Sequence, residues 1–76
     1  MDTEGRGLSA LVKEIRRQLS LSQEDLARQI GVSYATVNRW ENGLSKPSKL
    51  AKAQLEIFCK KMVGQGKLTL PEGDRR

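Results

Sequence analysis

Between Ser22 and Gly43 the chain writes two helix starts and two helix stops almost back to back. Ser22 is a good N-cap, because its hydroxyl can accept from a free backbone N–H. Asp25, three residues on, approximates a capping box, and Leu21 and Leu26 hold the two positions of a hydrophobic staple. The helix continues through Leu26, Ala27 and Ile30. It ends at Gly31, since only glycine enters the left-handed conformation cheaply. Ser33 opens a second helix, stapled by Val32 and Val37, which continues to Asn42 and stops at Gly43. Two helices joined by about three residues, with glycine in the turn, describe a helix-turn-helix unit.

The flanks supply the rest of a core. Leu8, Leu11, Val12, Ile15 and Leu19 recur at steps of three and four, the stripe of an amphipathic helix. After a loop over 44–48, Pro47 favours a new helix start. Ala51, Leu55, Phe58 and Met62 then form a stripe on a last helix from Ser48 to Val63, which Gly64 and Gly66 break. Residues 1–7 read as a frayed lead-in, 8–63 as the domain and 64–76 as a mobile tail. Within that tail Lys67-Leu68-Thr69-Leu70 alternates, and can pair as a short strand.

Seventy-six residues allow one small domain. No apolar run approaches the roughly 18–20 residues needed to cross a bilayer, and no secretory leader is legible. The expectation is therefore a cytoplasmic protein, associated with the nucleoid if it binds DNA. One cysteine and no histidine leave the common zinc patterns and the usual triad base unwritable. No catalytic residue, metal or cofactor is expected, and Cys59 reads as an inert, partly buried side chain. The 14 Lys and Arg against 9 Asp and Glu give a net charge of +5, which favours an anionic partner. A membrane surface is a poor candidate, because the basic residues are spread over several elements and the one tryptophan projects inward.

Projected at 100° per residue, the third helix turns Val37, Trp40 and the Ser33 side toward the core. The opposite sector carries Ala35, Asn38, Arg39 and Asn42, with Tyr34 and Thr36 on its borders. That face offers donors, acceptors, one cation and one small residue, and no large aliphatic group. Such a composition suits a DNA major groove: Arg bonds two guanine acceptors at once, Asn does the same with adenine, and Ala35 and the Thr36 methyl can meet a thymine methyl. Arg28, Lys46, Lys49 and Lys52 are candidates for a phosphate-binding rim.

The run from Gln23 to Gly43 resembles the helix-turn-helix of phage Cro and repressor proteins, the Cro/C1-type or XRE family. The family pattern is met by Gln23 opening the second helix, Ala27 at the close crossing, Gly31 at the turn, Val37 as the β-branched anchor and Glu41-Asn42-Gly43 at the close. The resemblance covers roughly Leu8 to Phe58. It implies an all-α, compact, four- to five-helix lambda-repressor-like domain, in which the second helix crosses the DNA backbone and the third enters the major groove. Carried over by position, Tyr34, Ala35, Asn38 and Arg39 lie along base edges, with Ser33 and Thr36 beside them. Gln23, Asn42, Lys46 and Lys49 reach phosphates, and Arg16 with Glu41 matches an ion pair tying the first helix to the end of the third. Many relatives carry glutamine where Tyr34 stands.

These readings predict sequence-specific binding of double-stranded DNA by a transcriptional regulator of repressor or antitoxin type. One domain covers about one half-site, so a homodimer on DNA is expected; Leu50, Ala53 and Ile57 either form a dimer patch or simply widen the core face of the last helix. An antitoxin role would add a toxin or effector protein as partner. The alternative is a protein-interaction adaptor on the same scaffold. An enzyme is not supported.

Overall fold

A computed structural model describes residues 6–70 of the chain. Four helices follow in order: α1 Arg6–Leu19, α2 Gln23–Ile30, α3 Tyr34–Glu41 and α4 Lys49–Gly64, with no strand among the described residues. The expected all-α architecture is present in its four-helix form, since the last helix is continuous.

The helix boundaries follow the local chemistry. Ser22 accepts from the Asp25 N–H while the Asp25 carboxylate accepts from the Ser22 N–H, a complete capping box. Ser33 and Ser48 cap α3 and α4 by accepting from the Thr36 and Ala51 N–H groups. Gly31 ends α2 at φ 76°, and the Val32 N–H returns to the Ala27 carbonyl at 3.0 Å. That bond closes a Schellman turn, which needs a left-handed residue at its corner. The equivalent long bond closes α1, where Leu21 donates to Arg16, and there Ser20 also donates to Arg17. There the corner residue is Ser20, at φ 55°.

Leu8, Val12 and Ile15 from α1, Leu26, Ala27 and Ile30 from α2, and Val37 and Trp40 from α3 meet Ala51, Leu55, Phe58 and Cys59 from α4 in one core. Helix α3 packs against both α1 and α2, and α2 also packs against α4. Trp40 is buried, as its projection required. Burial pushes the Cys59 thiol up to about 11, which keeps it protonated and unreactive.

Two expected boundaries move. Helix α1 begins at Arg6, two residues before Leu8, because the fully buried Leu8 needs a preceding turn to hold it. Residues 1–5 of the expected lead-in lie outside the described residues. The segment after α4 is packed as far as Leu70: Leu68 is 3% exposed and Leu70 is partly buried against the core. Thr69 between them is held by Gln18, whose Nε2 donates to the Thr69 carbonyl and whose Oε1 accepts from the Thr69 N–H, both at 2.8 Å. The alternation of 67–70 is thus that of a strand (period two, two leucines inward), paired with one side-chain amide instead of another strand. Residues 71–76 of the expected tail lie outside the described residues.

Candidate nucleic-acid interface

The surface is built on α3, which two neighbours hold from behind. Val37 and Trp40 sink into the core. Ser33, Tyr34, Ala35, Arg39 and Asn42 are exposed, while Thr36 and Asn38 are half-buried. Tyr34 retains 53% of its surface. The face expected to meet a duplex is therefore open as far as the described residues go, and the packed segment 65–70 is clamped to α1 through Gln18.

Behind this face lies a chain of polar side chains. Arg16 reaches Glu41 with two bonds, Nε to Oε2 at 2.6 Å and Nη2 to Oε1 at 2.9 Å. Its third nitrogen donates to the Leu21 carbonyl at 3.1 Å. The expected ion pair is thus present, and it ties α1 to the end of α3. Glu41 is the one buried charged residue among the described residues, 6% exposed. Hydrogen bonding from Arg16 holds its carboxyl below the usual range, against the opposing effect of burial, with a further bond from Gln23. The Arg16 guanidinium is correspondingly raised, chiefly by the same bond. A buried carboxylate needs such saturation, because an unpaired one would neutralise instead.

Gln23 extends the chain. Its Nε2 donates to Glu41 Oε1 at 2.9 Å, and its Oε1 accepts from Asn38 Nδ2 at 3.2 Å. Asn42 Nδ2 in turn donates to Asn38 Oδ1 at 3.1 Å. Three residues expected to touch DNA are therefore joined to one another and to the ion pair. No residue pattern signals this, because each bond spans two elements or depends on how an amide is turned. Nor does any pattern single out Ser9, whose hydroxyl donates to the Glu41 carbonyl at 2.6 Å and satisfies a group at the end of α3.

The other expected residues fall in two sets. Ser33 and Thr36 are engaged with each other: the Thr36 N–H donates to Ser33 Oγ, and the two hydroxyls lie 2.9 Å apart. Ser33 is first a helix cap. Arg28 pairs with Asp25 at 2.8 Å on the surface, an exposed, solvent-screened bond of little net worth and so readily exchanged for a phosphate. Lys46 and Lys49 are exposed at the far end of α3 and the start of α4, on the same flank as Asn42 in sequence. Among the described residues no group of His, Cys, Asp and Glu could hold a metal ion.

Comparison with known proteins decides the family. A family model described as helix-turn-helix matches residues 12–51, more than half of the chain. The chain belongs to the Cro/C1-type helix-turn-helix family. Its architecture and its character as a DNA-binding domain follow from that membership. The chain is 41% identical over 49 residues, 60% of its length, to a type II methyltransferase of Lactococcus lactis subsp. cremoris. It is 38% identical over 53 residues, 70% of its length, to a protein named as an HTH-type transcriptional regulatory protein in Natronomonas pharaonis. These matches span only 13% and 17% of the two relatives, so what is shared is the domain. No solved structure matches the chain. No helix among the described residues is long and apolar enough to cross a membrane.

Proposed function

We propose that this chain binds double-stranded DNA sequence-specifically by inserting α3 into the major groove, and that it acts as a transcriptional regulator of repressor or autoregulating antitoxin type. The observation that carries this reading is the exposed polar face of α3 on a helix whose opposite side is locked into the core. A rigid helix with Arg39 and Asn38 forward and only Ala35 for bulk meets the steric and hydrogen-bonding demands of base edges. Tyr34, Ser33 and Thr36 flank that readout. Gln23 at the start of α2, Arg28, Asn42, Lys46 and Lys49 supply phosphate contacts that set the register and carry no sequence information.

The regulator named in Natronomonas pharaonis supports the regulatory role. The match to a methyltransferase does not make this chain an enzyme, since the shared part is 13% of that protein and coincides with the helix-turn-helix. Two copies on adjacent half-sites would supply the length of sequence that a single α3 cannot read. A toxin or effector partner belongs to the antitoxin form of the proposal. The test is titration of labelled duplexes over a range of salt. Counterion release by the basic rim predicts a log–log slope near −0.9 per phosphate neutralised. Each of Lys46→Ala and Lys49→Ala should reduce the slope by about 1 and weaken all sequences alike. Absence of duplex binding at low salt, with salt-insensitive capture of a protein instead, would favour an interaction adaptor.

A further inference from the structure

The chain of amides behind α3 has a direction, and a charge sets it. An ionised carboxylate only accepts hydrogen bonds. Glu41 is ionised, because Arg16 meets it with two bonds in a buried site. The end of Gln23 that faces Glu41 must then be its NH2 group, which turns Gln23 Oε1 toward α3. An oxygen there requires a donor, so Asn38 presents its own NH2 to Gln23 and its Oδ1 to the Asn42 NH2. Each amide has one arrangement that satisfies its neighbours, and reversing any one places two oxygens or two NH2 groups face to face. An asparagine on an open helix surface has no such constraint and can present either end.

This matters for readout because adenine asks for both ends of an amide at once, a donor to N7 and an acceptor from N6. The Asn38 carboxamide has two N–H groups and two lone pairs. Gln23 and Asn42 take one of each, leaving one donor and one acceptor on an amide whose plane and polarity are fixed. We propose that Glu41, acting through Gln23, is a positioning residue for DNA recognition: it fixes the orientation of the Asn38 carboxamide and so makes Asn38 selective for adenine. This rests on the proposed insertion of α3 into the major groove. Its physical advantage is that the ordering of Asn38 is completed in the free protein, which lowers the entropy lost on binding.

The test compares motifs recovered from a random duplex pool by the unaltered chain, Asn38→Ala, Gln23→Met and Glu41→Gln. Gln23→Met keeps the side-chain length and the Arg16–Glu41 pair, and removes the link together with the proposed phosphate contact of Gln23. The proposal expects Asn38→Ala to lose an adenine preference at one base pair per half-site, by about fivefold or more. Gln23→Met should lose the preference at that same base pair and keep the others, on top of a uniform drop in affinity from its phosphate contact. Glu41→Gln, where it folds, should relax the same position, because a neutral amide can face Gln23 with either end. An unchanged adenine preference in Gln23→Met overturns the inference while leaving DNA recognition by α3 intact. Failure of the unaltered chain to enrich any motif overturns the underlying reading instead.

Discussion

Glu41 accepts three hydrogen bonds from two elements of the fold, and its protonation should be visible in the stability of the molecule. Its folded carboxyl lies below the ordinary value of 4.5, so the unfolded chain binds the proton more readily. The stabilisation is complete above about pH 4.5 and is lost as the pH falls through the folded value. Glu14, which Arg17 and Gln18 hold at about 2, and Asp25, lowered by the Ser22 cap, act in the same direction from the surface. Urea unfolding between pH 2 and pH 7, a range of about five units around that value, should show an acid limb that Glu41→Gln flattens. Removing the partner, in Arg16→Ala, strands a buried charge and should cost about 2–3 kcal/mol at neutral pH, near the lower end for buried pairs because Arg16 keeps some exposure. At Ser20 the sign reverses. A serine at φ 55° carries a left-handed penalty that glycine avoids, so Ser20→Gly should raise stability by up to about 1 kcal/mol.

At the scale of the element, the turn between α2 and α3 decides whether the reading helix is presented at all. Nothing crowds the position of a Cβ on Gly31, so the cost of Gly31→Ala comes from the backbone alone. It should be about 1–2 kcal/mol, measured by thermal unfolding, with Gly31→Asn milder because asparagine tolerates this conformation better. These element boundaries were legible because capping serines, staples and the glycine are local. Trp40 and the outward face of α3 were legible for a related reason, since helical period alone places them. The start of α1 was not: Gly7 masks it, weakening a helix by about 1 kcal/mol, and the burial of Leu8 by other elements outweighs that. The ion pair of Arg16 with Glu41 came from family resemblance, and the Gln23–Asn38–Asn42 chain was not readable at all. The Gln23–Asn38 bond depends on the distance between α2 and α3, which one-dimensional spacing does not carry, and the Asn38–Asn42 bond, although four residues apart on α3, depends on which way each amide is turned.

For the molecule as a whole, a domain this small keeps much of its surface wet, so a single additional buried leucine counts. Leu68 supplies it from beyond α4. Leu68→Ala should cost about 2–4 kcal/mol and release the Gln18 clamp, read as faster amide exchange at Thr69. The alternating leucines signalled this segment, but its partner, one glutamine on α1, could not be inferred without the fold. The same small size limits what one copy can recognise, and the exposed Leu50 and Ile57 on α4 remain the proposed patch for a second copy.

The most direct test is enrichment of duplexes from a random pool by the unaltered chain and by Arg39→Ala, at matched salt. The unaltered chain should recover related half-sites containing guanine, spaced by about one helical turn. Arg39→Ala should still bind through its phosphate contacts but lose that guanine preference by about fivefold or more. Recovery of the same motif with and without Arg39, or of no motif by either, would contradict the account.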